Sequence, residues 1–343
     1  MLARVANNLF WMGRYIERSE HLARYLNVNY FSSLDAPNEL SQSREFVLRS
    51  IMFMASNEVI GAEVNLKEED VLFNIGLNIK EPYSIIYSFN SAHENARSSR
   101  DIISTELFES LNTINHKIKN YNAKSFVKNG LYDFTSMITK STLELRSKMR
   151  GTLLHDELYA IIMLGIYLER ALQVTRIINA KCSDAAVEKI KYKDSPENGH
   201  LWATLLKCVA TYDMMRRLYK KTPTKKTTLE FLILNPECPR SIKNCLNQME
   251  KYINILSKHQ VVKSNSAAFL IKKLNAEFKY KLIEDIEIDV EGFISGLIDK
   301  LVVIGETLGD NYFKITNYPV IKKSSTSKQN QSKLKLKNTN VKG

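Results

Sequence analysis

The chain has 343 residues, enough for one large domain or two of ordinary size, and its 12 glycines and 7 prolines are too few for a turn-rich β architecture. Its net charge of +12 suggests nucleic acid until the charge is located: seven lysines (Lys322, Lys323, Lys328, Lys333, Lys335, Lys337 and Lys342) and no acids fall within 322–343, and without them the remainder carries +5. That Ser/Asn/Gln/Lys-rich stretch, 321–343, buries almost nothing and has no interleaved aromatics, so a disordered solubilising tail is favoured over a polyanion contact.

In chain order, the spacing predicts a first helix over 2–32, ending before the Asp35-Ala36-Pro37 turn. A second follows over 41–60 and a short one over 67–77. A long helix runs from about 82 to 120, since proline is tolerated in a first turn. Further helical patterns cover 123–150, 155–182, 198–220, 226–234, 240–258, 266–280 and 290–316. Only Ile283–Val290 is ambiguous with a strand, so the chain reads as all-α. Cys182, Cys208, Cys238 and Cys245 form no Cys-x-x-Cys pair and read as ordinary thiols of a reducing compartment. Arg4, Arg14 and Arg18 interrupt any N-terminal signal pattern, and the longest apolar run, Tyr159–Leu168, is about half what a bilayer needs, so a cytoplasmic protein without membrane contact is expected.

The first helix carries Ala6, Phe10, Gly13, Glu17 and Arg24 on one face and Met12, Tyr15, Leu22 and Leu26 opposite, leaving no clean solvent stripe. A helix apolar on most sides that still carries Glu and Arg should be central, with its charges paired inside the protein. Its run Met12-Gly13-Arg14-Tyr15-Ile16-Glu17-Arg18 recurs as Leu164-Gly165-Ile166-Tyr167-Leu168-Glu169-Arg170, 152 positions on, and Arg24 and Arg176 each follow seven residues after the glutamate. A second match pairs Leu77-Asn78, Pro82, Ser84-Ile85 and Asn90 with Leu234-Asn235, Pro239, Ser241-Ile242 and Asn247, 157 positions on. Two matches in the same order predict a helical bundle of two similar halves, about 1–150 and 151–320, related by a pseudo-twofold axis.

Duplication acts as an internal control. Ser84 and Ser241 occur in both halves and are expected to cap helices. The stretch His93-Glu94-Asn95-Ala96-Arg97-Ser98-Ser99-Arg100-Asp101 has no counterpart in the second half, and on a continuous helix Glu94, Arg97, Arg100, Asp101 and Ser104 fall within about 120° of one another. Glu17, Arg18, Arg24, Glu94, Arg97, Arg100, Asp101, Glu169, Arg170 and Arg176 are therefore the candidate cluster. They serve either as inter-helix salt bridges or as an arginine-lined pocket for a carboxylate. No zinc helix, phosphate loop or nucleophile elbow is present, and no metal or cofactor is expected.

Met1-Leu2-Ala3-Arg4-Val5-Ala6 leading to Trp11-Met12-Gly13-Arg14-Tyr15-Ile16-Glu17-Arg18 resembles the start of the bacterial alpha-E domain family, and Glu94-Asn95-Ala96-Arg97, Arg100-Asp101-Ile102-Ile103-Ser104, Gly165 with Glu169-Arg170, and Pro239-Arg240-Ser241 resemble its other blocks. The likeness covers about 1–316. Phe108 stands where a tryptophan is more usual, and Ile166 replaces the first copy's Arg14. The resemblance implies an association with a circularly permuted ATP-grasp protein and a transglutaminase-like protein in a system of peptide ligation. Within it the chain is expected to be a non-catalytic partner that binds the ligase or its peptide. The alternative is an enzyme of peptide or amide chemistry with Glu17, Glu94 or Glu169 as acid–base groups, and a nucleic-acid binder is the least favoured reading.

Overall fold

A computed structural model describes residues 3–34, 44–56, 58, 60–61, 64–191, 198–258 and 262–313, and every regular element among them is helical. The helices are α1 (Ala3–Leu34), α2 (Arg44–Ser56), α3 (Glu68–Gly76), α4 (Ile85–Arg97), α5 (Thr105–Lys119), α6 (Ala123–Ser125), α7 (Leu131–Thr152), α8 (Glu157–Lys191), α9 (Asn198–Cys208), α10 (Tyr212–Tyr219), α11 (Lys225–Leu234), α12 (Ile242–Leu256), α13 (Ala267–Lys279), α14 (Ile283–Glu287) and α15 (Val290–Leu308). Wide π-turns over Phe126–Gly130 and Gly309–Phe313 lead into α7 and extend α15. The Lys-rich stretch 321–343 lies outside the described residues. No described helix is long and apolar enough to cross a membrane.

Three expected elements differ. The helix predicted from 82 to 120 stops at Arg97 and restarts at Thr105. Ser104 adopts an extended backbone and its hydroxyl accepts the Leu107 N–H at 3.2 Å, so it caps a new helix where continuation was expected. Buried Ser99 and Ile103 draw the intervening turn onto the core. Ile283–Glu287, the ambiguous strand, is a short helix. The pattern over 198–220 also breaks, at Ala210, whose φ of 55° closes the end of α9.

One apolar core runs through the molecule, and α1 and α8 form its axis. α1 packs on α8, α4 and α7; α8 packs on α1, α12 and α15, while α2 and α9 each touch both. α4 and α7 share α5, as α12 and α15 share α13. Along both helices the contacts advance together, Phe10 meeting Gly165, Glu17 meeting Arg170 and Tyr25 meeting Lys181, so α1 and α8 run in the same direction.

The glycines of the repeated run allow this approach. A Cβ on Gly13 would stand 2.6 Å from the Ile162 carbonyl oxygen, and one on Gly165 would stand 2.2 Å from that of Phe10. Ile162 and Phe10 each lie three residues before the opposite glycine, so the two close contacts are reciprocal. The second repeated piece is also a repeated turn. Asn78 and Asn235 accept the backbone N–H two residues on at 3.1 and 2.8 Å, and Ser84 and Ser241 accept the N–H three residues on at 3.1 and 3.0 Å.

Candidate functional site

Glu17 and Glu169 face across the α1–α8 seam, where both are fully enclosed. Each meets the arginine that follows the other. Arg170 donates from Nε at 2.6 Å and Nη2 at 3.2 Å to the two oxygens of Glu17; Arg18 donates to Glu169 at 2.7 and 3.2 Å in the same fork. The residue one turn on completes each pair: His21 Nε2 lies 3.2 Å from Glu17 and Gln173 Nε2 2.8 Å from Glu169. Tyr167 lies under the Arg170 guanidinium at 5.0 Å and Tyr15 under that of Arg18 at 5.4 Å.

Beyond this exchange the two surroundings differ. On the Glu17 flank a second enclosed carboxylate, Glu20, joins the network. It accepts from Arg24 at 2.9 Å, from Arg240 at 2.6 Å and from Arg146, which also donates to Glu17 at 3.0 Å. Arg146 comes from α7 and Arg240 from the turn capping α12, where Arg170 also donates to the Pro239 carbonyl at 3.3 Å. Four arginines thus surround two carboxylates. Arg24 Nε and Arg240 Nη1 are buried without an acceptor among the described residues.

On the Glu169 flank, Arg14 donates to Glu169 at 2.8 Å and stacks over Trp11 at 4.5 Å. Arg176 approaches the same carboxylate but has no hydrogen-bond or ion-pair partner among the described residues. Three arginines stand near one carboxylate that pairs with two of them, and the Gln173 carbonyl has no donor among the described residues. No hydrogen bond or ion pair joins the two flanks among the described residues.

Burial alone would raise the carboxyl pKa values, but the arginines more than offset it. Arg170 and Arg146 pull Glu17 well below the usual carboxylate range, Arg240 and Arg146 do so for Glu20, and Arg18 and Arg14 for Glu169. All three stay ionised at neutral pH. Burial lowers His21 and outweighs its contact with Glu17, so its ring is neutral; Nε2 must carry the proton that meets the carboxylate, leaving Nδ1 a buried acceptor without a donor among the described residues.

Six of the ten candidate residues, Glu17, Arg18, Arg24, Glu169, Arg170 and Arg176, therefore gather along α1 and α8. Glu94, Arg97, Arg100 and Asp101 do not join them, because α4 ends at Arg97 and the common helical face is lost. Arg97 meets Glu94 in an exposed pair at 2.5 Å, Arg100 stacks over Phe108 at 5.2 Å and Asp101 is exposed. His93 bridges Glu94 at 3.4 Å and Asn112 at 3.1 Å. Arg14, Glu20, His21, Arg146 and Arg240 belong to the site without having been singled out. Four carried a readable signal: the positions matching Arg14, Glu20, His21 and Arg240 in the other copy hold Ile166, Leu172, Gln173 and Tyr83, so these side chains are unduplicated.

Residues 1–313 match the Alpha-E family, described as "a predicted alpha-helical domain with a conserved ER motif". Uncharacterised proteins of Mycobacterium bovis and Mycobacterium tuberculosis are 21% identical over 328 residues, covering 90% of this chain and 36% of each relative. The chain thus spans about a third of the length of the curated relatives it matches. No solved structure matches it. Two Glu-Arg pairs clasped across an all-helical fold, within a family match over residues 1–313, make this chain a member of the Alpha-E family.

Proposed function

We propose that the chain is a non-catalytic helical partner of an ATP-grasp amide ligase in a peptide-modification system, and that its Glu17–Glu20 flank receives a carboxylate of the ligase's peptide. The observation that carries this reading is the surplus of guanidinium: Arg24, Arg146, Arg170 and Arg240 surround two carboxylates, and Arg24 and Arg240 keep buried N–H groups unused. Forked N–H donors suit carboxylate oxygens, and an enclosed cation gains from each acceptor it meets. A non-catalytic role is supported by the state of the glutamates. Glu17, Glu20 and Glu169 are held ionised with arginines on their oxygens, which leaves weak bases and no acid to donate. The relatives carry the same unit within much longer chains, which suits a part that works beside another. A transglutaminase-like protein of the same system is a second proposed partner.

The reading includes two halves, about 1–150 and 151–320, related by a pseudo-twofold axis along α1 and α8. It is supported by the exchanged Glu-Arg forks, the reciprocal glycine contacts and the matching turns. Co-purification with the ATP-grasp protein tests the partnership: a complex is expected, and no association with or without ATP and peptide overturns it. Arg240→Gln should weaken binding of a carboxylate-terminated peptide about tenfold or more while the complex still forms.

One observation favours an enzyme of peptide or amide chemistry instead. Glu94 lies outside the buried network, 44% exposed, with the mostly covered His93 beside it at 3.4 Å as an acid–base neighbour. On that reading Glu94→Gln abolishes turnover with the melting temperature unchanged.

A further inference from the structure

The Glu169 flank has a charge imbalance that its own side chains do not resolve. Oε1 of Glu169 accepts Arg18 Nε at 2.7 Å and Gln173 Nε2 at 2.8 Å, and Oε2 accepts Arg14 Nε at 2.8 Å and Arg18 Nη2 at 3.2 Å. Four donors occupy a group of one negative charge, and Arg176 is left over. A guanidinium does not shed its proton in a protein, and Arg176, half-buried and without an acceptor among the described residues, keeps N–H groups open to an anion. Burial, with Arg18 and Arg14 beside it, lowers the Arg176 pKa despite the attraction of Glu169, which agrees with an uncompensated cation.

The geometry favours a ligand here over an idle defect. Arg14 is braced by the Trp11 ring at 4.5 Å and the Phe10 ring at 5.7 Å, and Arg18 by Tyr15 at 5.4 Å, so two of the three cations are held in place before anything binds. The α15 residue facing Arg14 is Gly305, where an added Cβ would stand 3.7 Å from Arg14 Nη1 and 3.1 Å from Leu168 Cδ2. A side chain there would fill the space beside the guanidinium, and glycine leaves it open. The Tyr15 hydroxyl makes no hydrogen bond among the described residues and is a further neutral donor.

We infer that the Glu169 flank is an anion site separate from the Glu17–Glu20 flank, and that Arg176, with the free Nη groups of Arg14 and Arg18, takes a dianionic tetrahedral oxyanion: phosphate or a phosphomonoester. Three arginines against one glutamate leave two positive charges. A monocarboxylate neutralises one of them and offers two oxygens in a plane; a phosphate neutralises both and presents oxygens in three directions to donors from two helices. The inference holds whether or not the other flank receives a carboxylate.

Calorimetric titration and thermal melting of the full chain test it, with inorganic phosphate, phenyl phosphate, acetate and chloride at equal ionic strength. The variants are Arg176→Gln and Lys226→Gln, which removes a surface cation of an exposed pair with Glu284. Saturable binding of one phosphate per chain is expected for wild type and Lys226→Gln, with affinity about tenfold or more weaker in Arg176→Gln. In phosphate-free buffer Arg176→Gln should melt no lower than wild type, because it removes an unpaired cation. Phenyl phosphate binding more tightly than the free ion would identify a phosphomonoester as the ligand; equal binding would identify the ion. No saturable phosphate binding, acetate or chloride acting as well as phosphate, or undiminished affinity in Arg176→Gln overturns the inference. So does Arg176→Gln melting well below wild type without phosphate, since the protein itself would then compensate the cation.

Discussion

At the scale of single residues, the site turns on which charges can lose a partner. Arg170 is the forked partner of Glu17, and both are enclosed. Arg170→Ala leaves Glu17 with Arg146 and a neutral histidine, and is expected to cost about 3–5 kcal/mol in urea unfolding, the usual penalty for breaking a buried pair from one side. Arg97→Ala breaks an exposed pair with Glu94, both side chains largely in solvent, and should cost no more than about 0.5 kcal/mol. The pH dependence has two limbs. His21 is displaced downward by burial, so the unfolded chain takes its proton first, and stability declines as pH falls below about 6.5. The three glutamates are also displaced downward, here by arginines. Their contribution is whole above about pH 4.3 and is lost as pH falls through their folded values. Urea midpoints against pH should therefore show a shallow decline followed by a steep one, and His21→Gln should remove only the shallow part.

At the scale of elements, the repeated glycines set how near α1 and α8 lie. Alanine in mid-helix gains up to about 1 kcal/mol from propensity, but at Gly165 its Cβ would stand 2.2 Å from a backbone oxygen. Gly165→Ala should lower stability by about 1–3 kcal/mol net. At Gly296 of α15 nothing lies within 4 Å, so Gly296→Ala should raise stability by about 0.5–1 kcal/mol. Thermal melts of the two variants, moving in opposite directions, check both values. The elements also show where local reading holds. Ser84 and Ser241 were legible as caps because a cap is a contact over three residues. The break before Ser104 was not: the same serine is tolerated inside a helix, and the burial of Ser99 and Ile103 decides which role it takes. With that break, the expected face of Glu94, Arg97, Arg100 and Asp101 disappears.

At the scale of the whole molecule, α1 and α8 are each the centre of the other's surroundings. Isolated 1–155 would expose the seam with Glu17 lacking Arg170, and isolated 156–313 would leave Glu169 without Arg14 and Arg18. Neither piece should unfold cooperatively alone, while mixing them should restore helicity and a single transition by circular dichroism. Cooperative unfolding of either piece alone would count against a shared core.

The sequence by itself determined that the fold is all-α, that Glu-Arg runs recur on two central helices, and that Ser84 and Ser241 cap helices. Those properties rest on spacings of two to seven residues, which a helix converts directly into geometry. The tertiary structure alone decided which arginine meets which glutamate: the fork exchanged between Arg18 and Glu169, Arg146 reaching Glu17 across 129 positions, and Arg240 reaching Glu20 across 220. Long side chains choose partners by packing, and packing joins residues that no local pattern relates. For the same reason the surplus charge at Arg176 could not be read from the chain, since a cation is uncompensated only relative to neighbours that the fold supplies.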